Sequence, residues 1–355
     1  MSSLTRKFAM ERPLTIGYFG DGRWARRALD RIVERPELRV LFVVGRHPDP
    51  DSKLRDYARR IDVPFATDPD VNRPAFRETL RGYEADIHVS MSFDQILGRD
   101  LIDLAPEGFI NCHAGALPFY RGRNVLNWAL INGEDQFGVT VHYVEEDIDA
   151  GDIIVQRVAD ITATDDYGSV LDKAVPLCAR ALQEALLQIR AGKVEPTPQD
   201  TIHPVGFYCS RRKEGDEWLD WDWSSRRIHN FVRGIAPPGP GARTLLGDDR
   251  IAILRTERIE KAPEYIDRPG TVVGRDEDGI VVKTGDTSLR VRRVADVDRE
   301  GALANERTPT HGIGTVFGRN PRRELERMRA RVRALEERLD QRSATPSVRD
   351  TGGAE

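Results

Sequence analysis

The stretch LTIGYFGDGRWARRALDRIVERPELRVLFVV, Leu14 to Val44, decides the fold. Its first six residues are apolar and rich in β-formers, which predicts a strand. Gly20-Asp21-Gly22 breaks the run with a turn, and in the following RRALDRIVE the residues Ala28, Leu29 and Ile32 recur at helical spacing. Pro36 ends the helix because proline cannot continue its hydrogen-bond ladder. Leu38 to Val44 is then a near-continuous apolar run, the pattern of a parallel strand covered on both faces.

The alternation continues downstream. LRDYARRIDV and PAFRETLRGY read as helices, VPFAT and ADIHVSMS as the third and fourth strands, and FINCHA (Phe109 to Ala114) as a short fifth. Strands alternating with helices predict a doubly wound α/β sheet. GVTVHYV (Gly138 to Val144) and GDIIVQRVADI read as an antiparallel pair on its edge, and a helix from about Tyr167 to Ala191 closes this first unit, residues 13–205. After PTPQD, proline, glycine and tryptophan thicken in WLDWDWSSRRIHNFVRGIAPPGPGA, with one amphipathic helix from Ser224 to Gly234. RIAILRTERI, GTVVGRDEDGIVVKTGD and TSLRVRRV are strands between Gly/Asp turns, so residues 206–300 read as a linker and a small barrel or sandwich. Residues 301–342 read as a loop, GALANERTPTHGIGTVFGRN, and a last helix; 343–355 read as a disordered tail. In that helix Leu325, Met328, Val332, Leu335 and Leu339 form a short heptad seam, which must pack on the body of the protein or on a partner chain; a homodimer is the expectation.

Composition narrows the function. The 355 residues are 39% hydrophobic and 32% charged, with no apolar run near the roughly 20 residues a bilayer helix needs. The first residues lack the apolar core of a secretory signal, so a cytoplasmic, membrane-free protein is expected. Three cysteines are too few and too scattered for a disulfide framework or a closed zinc site, and no metal is expected. A net charge of −4 from 54 basic and 58 acidic residues gives no polycationic field for nucleic acid. The arginines of the last helix alternate with glutamates, as on a solvated face.

Two groups of residues could carry chemistry. Gly20-x-Gly22-x-x-Ala25, with Arg46 after the second strand, has the spacing of a dinucleotide turn, but any tight turn between strand and helix wants such glycines. The stretch from Phe109 to Gln156 is denser. A strand's period of two sends Asn111 and His113 to one face and Cys112 to the core. An amide and an imidazole at a strand's carboxyl end offer a donor for an oxyanion and a proton carrier near neutral pH, and Asp149, in a DAGD turn, is a carboxylate able to approach the imidazole. Each also has an ordinary role, as a cap, a buried histidine or a turn former.

Together these residues resemble the folate-dependent formyltransferase family. The match runs through Asn111-Cys-His113, Leu117-Pro118-x-Tyr120-Arg121-Gly122, Trp128, Asn132-Gly133-Glu134, Gly138-Val139-Thr140-x-His142 and Asp149-Ala-Gly151, departing at Ala114-Gly115-Ala116. The resemblance implies a Rossmann-like formyltransferase domain over 13–205, followed by an OB-like β-barrel domain and a C-terminal helix. It implies Asn111, His113 and Asp149 as the catalytic trio and 10-formyltetrahydrofolate as donor. The folate would meet Ser90, Met91, Ser92, Leu117 and Asp147. The acceptor would meet Tyr120, Arg121, Arg123, Asn124 and, on the HNFVR helix, His229 and Arg233; a cationic His113 would meet the oxyanion.

Among acceptors, a nucleotide-linked amino sugar ranks first and initiator methionyl-tRNA second. The tRNA enzymes resembled carry a long basic loop after the second strand, where this chain has only GRHPDPDSKL. A formyltetrahydrofolate hydrolase, an NADP oxidoreductase and a non-catalytic RNA-binding protein are the competing classes.

Overall fold

The computed structural model describes residues 12–318, 325 and 328–337. The first unit runs β1 (Leu14–Gly20), α1 (Gly22–Val33), β2 (Leu38–Val44), α2 (Ser52–Arg60), β3 (Phe65–Ala66), α3 (Pro74–Arg81), β4 (Ile87–Met91), α4 (Arg99–Ile102), β5 (Phe109–His113), β6 (Arg121–Gly122), α5 (Val125–Asn132), β7 (Gln136–Tyr143), β8 (Ile153–Asp160) and α6 (Tyr167–Arg190). Then come α7 (Gln199–Ile202), β9 (Tyr208–Cys209), α8 (Ser225–Gly234), β10 (Ala242–Leu246), β11 (Asp249–Arg258), β12 (Val272–Asp276), β13 (Gly279–Lys283), β14 (Ser288–Val297) and β15 (Leu303–Arg307).

Among the described residues the first sheet has the order β3-β2-β1-β4-β5-β7-β8. Its first five strands are parallel, and β7 and β8 add antiparallel to the edge as expected. The decisive turn is built by packing: a Cβ on Gly20 would lie 2.7 Å from the Met91 carbonyl oxygen and 2.8 Å from the Ala25 Cβ. The Asp21 carboxylate accepts from the Gly22 N–H at 2.8 Å and from the Asp51 N–H at 2.9 Å, so the protein's own anion caps α1. Ala25, Ala28, Leu29 and Ile32 are the buried stripe of α1. α6 starts on an Asp166/Ser169 capping box and covers the same face of the sheet through Val170, Ala174, Cys178, Leu182 and Leu186.

The second sheet is antiparallel, in the order β10-β11-β14-β13-β12 with β15 on β14. Bridges from Phe317 to Leu246 and from Val316 to Thr271 tie its two edges together, so the sheet curls on itself. Its core joins Ile253, Val282 and Val291 to Ile228, Phe231 and Val232 of α8 and to Trp221 and Phe317. Trp221 donates to Thr244 Oγ1 at 2.9 Å and Trp223 packs edge-on against Phe231, so WLDWDW serves packing.

One reading changes. The stretch read as a loop from residue 301 contains β15, paired Val297↔Leu303 and Val294↔Arg307. The middle of this edge strand is exposed, so it lacks the apolar alternation that marks a strand; its ladder and the Arg307–Asp296 and Arg293–Glu306 ion pairs hold it. In the last helix Leu325, Met328, Val332 and Leu335 are 44–58% exposed, so the seam does not pack on the body of this chain. Leu339 and residues 343–355 lie outside the described residues. Among the described residues no helix is long and apolar enough to cross a membrane.

Candidate active site

β5 ends beneath α6, and its alternation does what the sequence predicts. Cys112 turns into the core, its thiol 3.6 Å from the Cys178 carbonyl, while Asn111 and His113 face the other way. The antiparallel β7 sets His142 opposite Asn111 and Thr140 opposite His113. The turn after β7 then returns Asp149 to the pair. One Asp149 oxygen, Oδ2, lies 3.5 Å from His113 Nδ1 and accepts from the Gly122 N–H at 2.8 Å. The other, Oδ1, lies 3.4 Å from both Asn111 Nδ2 and His142 Nε2. His113 gives its Nε2–H to the Tyr120 carbonyl at 2.6 Å, which orients the ring with Nδ1 toward Asp149.

His142 belongs to this constellation but was read only as a motif residue. Its Nε2 also lies 3.3 Å from Asn111 Nδ2, and its Nδ1 is 2.7 Å from the Tyr143 carbonyl. It reaches the site through the register of β7 on β5, where an antiparallel neighbour directly opposite Asn111 shares its face.

Burial pushes the His113 pKa below its ordinary value, and Asp149 offsets this only in part. Burial alone would raise the Asp149 carboxyl, but His113, His142 and the Gly122 N–H outweigh it and hold the group well below the usual carboxylate range. At neutral pH the free site therefore pairs an ionised carboxylate with a neutral imidazole. Asp149, Tyr120, Asn124 and Ser92 all have φ between 52° and 60°. Four non-glycine residues in the left-handed region around one site mark a place where packing imposes the backbone.

Asn111, His113, His142 and Asp149 border a cavity of about 690 Å³, the size class of a small-molecule site. Of the residues singled out from sequence, Ser90, Met91, Ser92, Asn111, His113, Arg123, Asn124, Asp147 and Asp149 line it. Trp24, Arg46, Tyr167 and Arg211 line it as well. Arg46 donates to the Ser92 carbonyl at 2.6 Å, so this arginine holds the turn after β4; with Asp21 capping α1, the glycine turn does not present a dinucleotide site.

The remaining residues stand outside the lining. Leu117 is 2% exposed, its N–H directed at Thr140 Oγ1. Tyr120 donates its hydroxyl to Glu134 at 2.6 Å, and Arg121 donates to Gln199 Oε1. His229 lies 3.1 Å from Thr256 Oγ1, and Arg233 bonds Asn230 and the Thr162 carbonyl, so both brace α8 against its neighbours.

A carboxylate, an imidazole and an amide donor at one cavity wall are groups able to serve transfer at a carbonyl carbon. Residues 15–186 match the formyl transferase family and residues 212–303 match its C-terminal domain. The methionyl-tRNA formyltransferase of Pelobacter propionicus is 32% identical over 288 residues, 79% of this chain and 88% of the relative. That of Citrifermentans bemidjiense is 31% identical over 296 residues, 81% and 90% of the two chains. The chain belongs to the formyltransferase family: it is a folate-dependent N-formyltransferase. Among solved structures, the sugar 3N-formyl transferase WlaRD, crystallised with dTDP and 5-N-formyl-THF, superposes with a TM-score of 0.61 at 18% identity, covering 81% of this chain and 98% of that one. The N-formyltransferase of Helicobacter canadensis, in complex with folinic acid and dTDP-3-aminofucose, gives 0.59 at 19% identity, covering 82% and 99%. At such identities the likeness is one of fold.

Proposed function

We propose that this enzyme, in the cytoplasm, moves a formyl group from 10-formyltetrahydrofolate to a primary amine, with residues 13–205 as its catalytic unit. The observation that carries the reading is the approach of Asn111 and His113 to the Asp149 carboxylate, at 3.4 Å and 3.5 Å between polar atoms, at the wall of the cavity. The Ser90–Ser92 turn and Asp147 line the same cavity and would hold the folate.

The amine nitrogen attacks the formyl carbon, a C–N bond forms, and the carbonyl electrons move onto oxygen. The Asn111 amide donates to that oxyanion. The amine proton passes to neutral His113, whose imidazolium is then stabilised by the Asp149 carboxylate 3.5 Å from Nδ1. Collapse breaks the bond between carbon and the folate nitrogen, and His113 returns the proton to that nitrogen. One proton leaves the amine and one reaches the folate, so the exchange balances without another reactant.

For the acceptor, the relatives reorder the expectation drawn from sequence. Likeness at 31–32% over most of both chains is to methionyl-tRNA formyltransferases, which favours the amine of a methionyl-tRNA. The amino sugar is kept as the second reading because the loop after β2, GRHPDPDSKL, mixes acids with its bases and offers no polycationic arm. The test supplies 10-formyltetrahydrofolate with charged initiator tRNA in one tube and dTDP- and UDP-linked amino sugars in another. Formylated tRNA, with a rate that falls steeply as salt rises, supports the first reading. Turnover of a sugar alone, with a shallow salt slope, replaces it with the second.

A further inference from the structure

The segment from residue 187 to 211 lies between the two stretches that match the family, and it crosses the catalytic loops. Two backbone hydrogen bonds between Thr197 and Ile153, each 2.9 Å, tie its approach to β8. They set Gln199, only 4% exposed, behind the turn that carries Asp149. The Gln199 amide nitrogen donates to the Asp149 carbonyl at 2.9 Å and to the Gly151 carbonyl at 2.8 Å. Its carbonyl oxygen accepts from Arg121 Nη2 at 2.7 Å and Nε at 3.1 Å. Both amide protons and the acceptor are thus engaged, and the cationic partner on oxygen strengthens the two bonds from nitrogen.

What is held in this way is a strained turn. Asp149 has φ +52°, and a Cβ on Gly151 would fall 2.1 Å from the Tyr143 carbonyl, so the turn passes through a narrow gap. An aspartate keeps such a conformation only where its surroundings impose it. The side chain is fixed by Gly122, His113 and His142; the backbone is fixed by Gln199. We propose that Gln199 is a positioning residue of the formyl transfer, which clamps the Asp149 turn and sets the carboxylate at its distance from His113. The proposal rests on the reading of Asp149 as the carboxylate of the transfer.

The substitution Gln199→Glu keeps the size and the Arg121 partner but gives no N–H to either carbonyl, so it isolates the clamp. Tetrahydrofolate release is measured with 10-formyltetrahydrofolate and charged initiator tRNA, or with the amino sugar nucleotide if that acceptor is the one turned over. A clamp predicts that kcat falls on the order of 10- to 100-fold with KM for the donor within about twofold, since displacement of a reacting group costs turnover more than binding. Acting through Asp149, it also predicts that Gln199→Glu adds no further loss in an Asp149→Asn background. Gln199→Met, which removes all the bonds without adding charge, should reproduce both results if the glutamate variant does not fold. Wild-type kcat in the folded Gln199 variants, or an equal loss in the two backgrounds, overturns the positioning role while leaving Asp149 in place. Full turnover in Asp149→Asn alone overturns the reading beneath it as well.

Discussion

Replacing His113 removes the group that carries the proton, and replacing Asn111 or Asp149 removes a donor or a charge needed only as the oxyanion and imidazolium form. His113→Ala, Asn111→Ala and Asp149→Asn should each lower kcat on the order of 10²- to 10⁴-fold, with unfolding curves close to wild type, as measured by tetrahydrofolate release and urea titration. Asn111 and His113 were legible because a period of two in FINCH puts them on one face. His142 and Gln199 were not: the first needs the register between β5 and β7, and the second comes from a segment with no motif. His88 makes a separate prediction. It is 2% exposed among Phe19, Phe42 and Phe109, and burial pushes its pKa down to about 4. The unfolded chain takes up this proton below about pH 6.5 and the folded chain does not, so stability falls as pH drops from about 6.5 to about 4, by up to about 1.4 kcal/mol per pH unit for this group. His229, with its pKa also pushed down to about 4, acts in the same direction. Urea titrations at pH 7 and pH 5 check the sign; equal midpoints would contradict it.

At the scale of elements, the pairing of β6 with β9 joins the loop after His113 to the segment between the two sheets. Gly122 sits at that join with φ +90°, and a Cβ there would lie 2.6 Å from the Cys209 carbonyl oxygen. Gly122→Ala should destabilise the protein by about 1–3 kcal/mol and lower kcat together, because the N–H that holds Asp149 moves with the strand. A urea midpoint and kcat equal to wild type would show that the ribbon yields without disturbing the site. The long elements, β1, α1, β2 and α6, were readable because burial on a sheet stamps a strong period on them. β6, β9 and β15 were not, since two-residue or exposed strands bury too little to leave one.

For the whole molecule, the last helix leaves Leu325, Met328, Val332 and Leu335 exposed on this chain. We propose that a second copy covers this seam, so deletion of the residues after Asn320 should turn a dimer into a monomer by light scattering; an unchanged mass would remove the seam from assembly. The helix seam and the acceptor are matters of partners, which lie outside any single chain's own periodicity. The central claim concerns the formyl carbon itself. With 10-formyltetrahydrofolate labelled at that carbon, and charged initiator tRNA and amino sugar nucleotides offered together, the label should appear in an N-formyl amide. One tetrahydrofolate should be released per amide, and both signals should fall together, on the order of 10²- to 10⁴-fold, in His113→Ala. Label recovered as free formate, with no amide on any acceptor, would contradict transfer to an amine and make the site a hydrolase.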